Sequence, residues 1–192
     1  NRNINLPVLS DSDTIVFLAA TQTLTNKTLT SPVIGTSIND TNGNEVIKIT
    51  ATGSAVNELT IANGASTTGP TLSATGTASN LNIAVTSKGT GSVEISKAAF
   101  SSNTITANGA ANTAASYIIG NKGSALAVSL ADGTTVGEYK IFTNKGAGVM
   151  TVTPANFSQG TTFALAQHDG CTCIWDGSNW SLVGNQGEVT VA

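Results

Sequence analysis

Charge is scarce in this sequence. Charged residues fill 10% of its 192 positions, against about a quarter in an ordinary globular chain, and only 8 are Lys or Arg. With a net charge of −3 there is no cationic footprint for phosphate backbones or acidic membrane surfaces, so nucleic-acid binding is disfavoured. Aromatics amount to 5%; much of the 40% hydrophobic content is therefore Ala, and bulk for a core is in short supply. Long hydrophobic runs are missing too. The longest strongly apolar stretch, Ile15 to Ala20, falls far short of the ~20 residues that span a bilayer, so no membrane insertion is expected. No signal-peptide pattern is visible. The chain opens on Asn1, directly in an alternating pattern, so preceding residues are expected.

Cysteine is limited to Cys171 and Cys173, in "GCTCIW". On a strand these positions share a face but stand at the edge of disulfide reach, so free thiols formed in a reducing cytoplasm are expected. With His168 they could make three ligands for zinc, although the spacing is not a paired knuckle and a fourth ligand is absent. Semi-buried thiols beside a turn histidine are the favoured reading. Asp11 and Asp13 in "DSDT" could ligate calcium, but the later bidentate Glu of an acidic loop is missing, which favours a capped turn. No G-x-S-x-G motif occurs, the single histidine leaves little choice of base, and the eleven carboxylates show no convergent pair. The "GTG" at Gly89 to Gly91 lacks the third glycine of a dinucleotide fingerprint. The expectation is a non-enzymatic chain without cofactor or metal.

Thr, Ser, Asn and Gly take the place of charge, and alternation is the main signal. Ile4, Leu6 and Val8 share one face of "NINLPVL". In "TQTLTNKTLTSP" a two-residue turn at Asn26 and Lys27 would set Leu24 opposite Leu29, flanked by threonines. Residues 1–38 are taken as an N-terminal strand module. Residues 39–97 read as short strands cut by glycine turns, in "EVIKIT", "NELTIANG", "TLSATG" and "NLNIAVTSKGTGSVEIS". Leu81, Ile83 and Val85 alternate on one side of "SKGTG", Val93 and Ile95 on the other. Residues 98–116, rich in Ala, Asn and Ser, read as a connector.

Residues 117–192 are richer in bulky apolar groups. "YIIG", "ALAVSL", "EYKIF", "VMTVTP", "TFALAQ", "CTCIW", "WSLVG" and "EVTVA" are eight candidate strands, which predict a β-sandwich or small barrel. "DGSN" at Asp176 to Asn179 is expected as a compact turn that sets Trp175 against Trp180. Trp175, Trp180, Tyr117 and Tyr139 are the candidates for a surface that recognises a glycan or protein, with the core holding first claim on them.

The fold class expected is all-β: an elongated N-terminal meander or repeat region followed by the sandwich-like domain. Each N-terminal strand offers two or three aliphatic contacts, too few to close a core alone. Copies around an axis would supply the missing burial, so a homotrimer is expected. Ile4, Leu6, Leu24, Leu29, Leu81, Ile83, Val85, Val93 and Ile95 are its packing candidates.

The stretch "INLPVLSDSDTIVFLAATQTLTNKTLTSPVI" resembles a module of tail fibres and related virion proteins of tailed bacteriophages, and "NLNIAVTSKGTGSVEI" is similar to the K-G-T-G strands that follow it there. The terminal "CIWDGSNWSLVG" resembles the W-D-G-x-x-W ending of phage fibre and appendage domains. Together these cover roughly the first half of the chain and its end. The resemblance implies a trimeric β-structure on the virion surface, made in the bacterial host cytoplasm, with no chemistry of its own. Its partners would be its own copies, other virion proteins of tail or capsid, and a host-surface glycan. A tail fibre, a head fibre or a capsid decoration all fit, and an adhesin module that binds carbohydrate is the rival outside the virion.

Overall fold

The computed structural model describes Asn26 and residues 28–192. No helix occurs among the described residues, and all regular structure is β. The chain divides into two units, Asn1–Val85 and Thr86–Ala192. The boundary falls inside the stretch 39–97 that reads as one repeat region.

In the first unit, β1 (Ser37–Asn39) and β2 (Glu45–Lys48) form an antiparallel hairpin with Ile38 opposite Ile47. Its turn is set by Asp40, whose Oδ1 accepts the N–H groups of Asn42 at 2.9 Å and Asn44 at 2.8 Å. This is the local side-chain bonding that makes Asp a turn residue. β3 (Asn57–Ala62) and β4 (Thr71–Gly76) form a second antiparallel pair. The expected strands at "EVIKIT", "NELTIANG" and "TLSATG" are therefore present, as two separate two-stranded sheets rather than one continuous meander.

"NLNIAVTSKGTGSVEIS" departs from expectation. Its turn is there: Gly91 N–H donates to the Lys88 carbonyl at 3.1 Å, and Gly89 takes a φ of +62°. The residues holding Leu81, Ile83, Val85, Val93 and Ile95, however, form no strand. A strand needs a ladder partner, and two or three aliphatic contacts do not offset the cost of ordering the backbone without one. Of the proposed hairpin around Asn26 and Lys27, the second arm, Thr28 to Thr30, forms no strand; Lys27, the first arm with Leu24, and the N-terminal strand carrying Ile4 and Leu6 lie outside the described residues.

The second unit holds ten strands: β5 (Ser102–Ile105), β6 (Gly109–Ala110), β7 (Tyr117–Gly120), β8 (Leu126–Leu130), β9 (Tyr139–Asn144), β10 (Met150–Pro154), β11 (Phe163–Leu165), β12 (Gly170–Trp175), β13 (Trp180–Gln186) and β14 (Thr190–Val191). All eight expected C-terminal strands are found, as β7 to β14. They belong to two five-stranded sheets, one ordered β13-β12-β9-β7-β5 and the other β14-β11-β10-β8-β6.

The path between them was not expected. From β5 to β10 the chain changes sheet at every step and returns parallel to the strand two before it. β5, β7 and β9 pair in parallel in one sheet, as do β6, β8 and β10 in the other. This is a coil of three turns, not a chain of hairpins. Antiparallel pairing is confined to the later strands, β9 with β12, β12 with β13, β10 with β11 and β11 with β14. Residues 98–116, read as a connector, supply β5 and β6 and so the first turn of that coil. Their small polar side chains carry little strand signal of their own; parallel partners further along the chain hold them extended.

The two sheets share one core. Alternate residues point inward: Ile118 from β7, Leu126, Val128 and Leu130 from β8, Phe142 from β9, Met150 and Val152 from β10. Phe142 from one sheet meets Phe163 from the other edge to face, at 5.4 Å between ring centroids. Full burial of such a side chain contributes about 1.5–3 kcal/mol. Gly133 is required where the chain crosses the Trp175 ring, because a Cβ there would stand 2.5 Å from its Cγ.

Candidate functional site

The candidates separate sharply by burial. Trp175 and Trp180 lie opposite each other on β12 and β13, with ring centroids 5.5 Å apart. The turn between them forms as expected. Asp176 Oδ1 accepts the N–H groups of Ser178 and Asn179 at 2.8 and 2.7 Å, Gly177 takes a φ of +105°, and Asp176 N–H donates to the Asn179 carbonyl at 3.0 Å. These bonds, those to Asn179 and Ser178 above all, hold the Asp176 carboxyl below its ordinary pKa. The pair turns inward, however. Trp180 is fully buried, Trp175 nearly so, and Trp180 Nε1 donates to the Ala131 carbonyl at 2.9 Å. Neither indole is a recognition surface; the core takes them, since an indole ring is among the largest apolar groups the chain has to bury.

Tyr117 and Tyr139 are half-buried on the outer side of β7 and β9. The Tyr117 hydroxyl accepts a hydrogen bond from Thr143 Oγ1 at 2.9 Å, and Tyr139 packs edge to face on Phe100 at 5.4 Å.

Cys171 and Cys173 are both buried and unpaired, on the inner face of β12. Burial pushes the Cys171 thiol up to about 12 and raises Cys173 as well, where the neighbouring Cys171 adds to the effect of desolvation. His168 is exposed in the preceding turn at a φ of +71°, its N–H donating to the Asn144 carbonyl at 2.7 Å. The thiols face the core while the imidazole lies at the surface, so the three do not converge. Among the described residues no group of three or more His, Cys, Asp and Glu could hold a metal ion. Asp11 and Asp13 lie outside the described residues.

Two buried polar residues escaped the sequence reading. Lys140 Nζ donates to the carbonyls of Thr113 at 2.6 Å and Ala115 at 2.8 Å and pairs with Glu138 at 3.3 Å. It fastens the loop between β6 and β7 to β9. Asn144 donates to the carbonyls of Gly148 and Leu165 and accepts from Gly146 N–H. Period-2 alternation, which places Lys140 and Asn144 in phase with Phe142, was the available signal.

The packing candidates give the opposite picture. Leu29, Ile83, Val85, Val93 and Ile95 are all exposed, and Leu81 is half-exposed. Ile4, Leu6 and Leu24 lie outside the described residues. None of the described residues from 26 to 100 is buried. The β3–β4 pair is the clearest case: its apolar face, with Leu59 at 57%, Ile61 at 73% and Leu72 at 52% exposure, is open to solvent. Its polar face is the better covered, with Thr60 and Thr75 bonded at 2.6 Å and Thr75 Oγ1 donating to Glu58 at 3.0 Å. An apolar sheet face left open to water is a feature that marks interaction surfaces in proteins generally.

No protein-family model matches the chain, and no curated protein matches it.

Proposed function

We propose that this chain is a non-enzymatic structural protein of a phage virion, a homotrimeric fibre or fibre-like appendage displayed on the particle. The observation that carries the reading is the open apolar face of β3–β4, together with the absence of any buried residue among those described from 26 to 100. Two-stranded sheets are marginal alone in water, and identical stripes meeting around an axis supply each other's cover. The "TQTLTNKTLTSP" module, the "KGTG" segment and the "WDGSNW" ending supply the virion part of the reading through their resemblance to phage fibre proteins.

The trimer is tested by mass in solution, expected at about three times 19.3 kDa; a chain monomeric at micromolar concentration overturns it. Placement is tested by labelling particles with an antibody against residues 120–192. Signal on the tail supports an appendage that carries the C-terminal unit towards the host surface. Signal on the head moves the same architecture to a capsid decoration or head fibre.

A further inference from the structure

Lys88 to Ile95, "KGTGSVEI", repeats the pattern of Lys145 to Val152, "KGAGVMTV": Lys-Gly-x-Gly, one further residue, then two apolar residues in alternation. A third Lys-Gly, Lys122-Gly123, precedes β8. In the two later copies the Lys-Gly segment leads out of β7 or β9 and into β8 or β10, whose alternate side chains enter the core. Val93 and Ile95 hold the places of Met150 and Val152 in β10, but they are 47% and 69% exposed and belong to no strand.

The sheet that receives β8 and β10 has an open edge where an earlier copy would fall. β6, β8 and β10 pair in parallel in chain order, and β6 ends the sheet, with no strand on its outer side among the described residues. Gly109 of β6 lies beside buried Val128 and shares its inward side, which leaves Ala110 on the outer side. A Cβ built at Gly109 would meet nothing within 4 Å, so the inward corner of the sheet is unfilled at this end of the coil.

We infer that residues 92–96 are a strap that pairs in parallel with the outer edge of β6, as a sixth strand of that sheet, and closes this end of the coil. Length permits the closure: six residues, 96–101, separate Ile95 from β5, as six, 111–116, separate β6 from β7 on the next turn. In the paired form Val93 and Ile95 face inward, towards the unfilled corner at Gly109, and Glu94 faces out. A charged residue on the outermost strand opposes edge-to-edge pairing with foreign chains, which β6, Gly109 and Ala110 alone, cannot do. Ordering the strap costs backbone entropy of the same order as the burial of two aliphatic side chains and a short ladder return. The open form of the structure and the paired form are therefore both within reach. Val93 and Ile95 are covered by their own chain in this form, so the strap stands or falls independently of the trimer.

The test combines Ala110→Cys with one of Ser92→Cys, Val93→Cys, Glu94→Cys, Ile95→Cys or Ser96→Cys in the full chain. Dilute protein is oxidised in a glutathione buffer at pH 8, where burial keeps Cys171, with its pKa of about 12, and Cys173 out of the reaction. Parallel pairing sets one of the outward positions Ser92, Glu94 and Ser96 beside Ala110. That variant is expected to form an intrachain disulfide about tenfold faster, or more, than Val93→Cys and Ile95→Cys, whose side chains point to the other side. Equal rates at all five positions describe a tether that meets β6 by collision, and they overturn the proposal. So does the lack of a disulfide at every position, and so does a disulfide between chains, seen as a doubled mass without reductant, which assigns the edge to another copy. Should Ala110→Cys lose the indole fluorescence of Trp175 and Trp180, hydrogen exchange of the wild type decides instead. Slowed exchange at alternate amides of residues 92–96 supports the strap, and exchange at the rate of a free chain throughout overturns it.

Discussion

Residues 26–100 and residues 101–192 are written in similar Thr-, Ser- and Gly-rich language, with the same alternation, and they fold to opposite outcomes. The first region buries none of its described residues; the second folds two five-stranded sheets onto a single core. Bulk is part of the difference. Between Asn26 and Ala99 there is no Phe, Tyr or Trp, whereas the second region holds both tryptophans, both tyrosines and the phenylalanines Phe142, Phe157 and Phe163. Return of the chain is the rest. β1–β2 and β3–β4 pair only locally, while β5 to β10 coil back over one another so that every strand gains a neighbour and a facing sheet. Alternation creates an apolar stripe, and only a second layer turns that stripe into a core.

The widest separation between the regions is expected for core truncation. Phe142→Ala should cost about 3–5 kcal/mol, read from denaturant unfolding followed by indole fluorescence, because Phe142 is fully buried against Phe163. Lys140→Met should cost about 1–3 kcal/mol by the same measurement, since it strands the carbonyls of Thr113 and Ala115. A neutral outcome would mean that the loop between β6 and β7 needs no such fastening. Alkaline pH probes the same core through Cys171. Its folded pKa, about 12, lies above the ordinary value of 9.0, so its contribution is intact below pH 9 and is lost as pH rises from 9 towards 12. A thiol reagent at pH 8 should accordingly modify native protein far more slowly than unfolded protein; equal rates would contradict a buried Cys171 and Cys173. The smallest effect belongs to Ile61→Ala. In dilute single chains it should change stability by less than about 0.5 kcal/mol, yet in the assembled state it should weaken association measurably. An effect in dilute solution as large as that of Phe142→Ala would erase the contrast between the regions.

Much of the second unit was legible. β-branched and aromatic runs between glycine turns marked β7 to β14, and "DGSN" announced the Trp175–Trp180 pair because its turn chemistry is local. The placement of Cys171 and Cys173 on one face followed from strand periodicity alone. β5 and β6 were hidden, since Ser, Asn, Gly and Ala have weak strand preference and are held by partners 15 or more residues away. The segments around Ile83 and Ile95 failed in the reverse direction: a clear alternating pattern found no ladder in the single chain. Of the site candidates, the exposed packing residues were read from the shortage of cover. The tryptophans could be assigned to the core only once two sheets were seen to close over them.

Composition and periodicity by themselves determined that the regular structure of the described residues is β, and that the first region carries thin apolar stripes, because both properties depend on residues within a few positions of each other. The tertiary structure alone decided that β5 to β10 wind as a parallel coil, that a lysine is sealed beneath one sheet, and that one outer face carries large side chains while the other carries small ones. Those features depend on which distant strands become neighbours, and loop closure between strands, not local propensity, settles that choice.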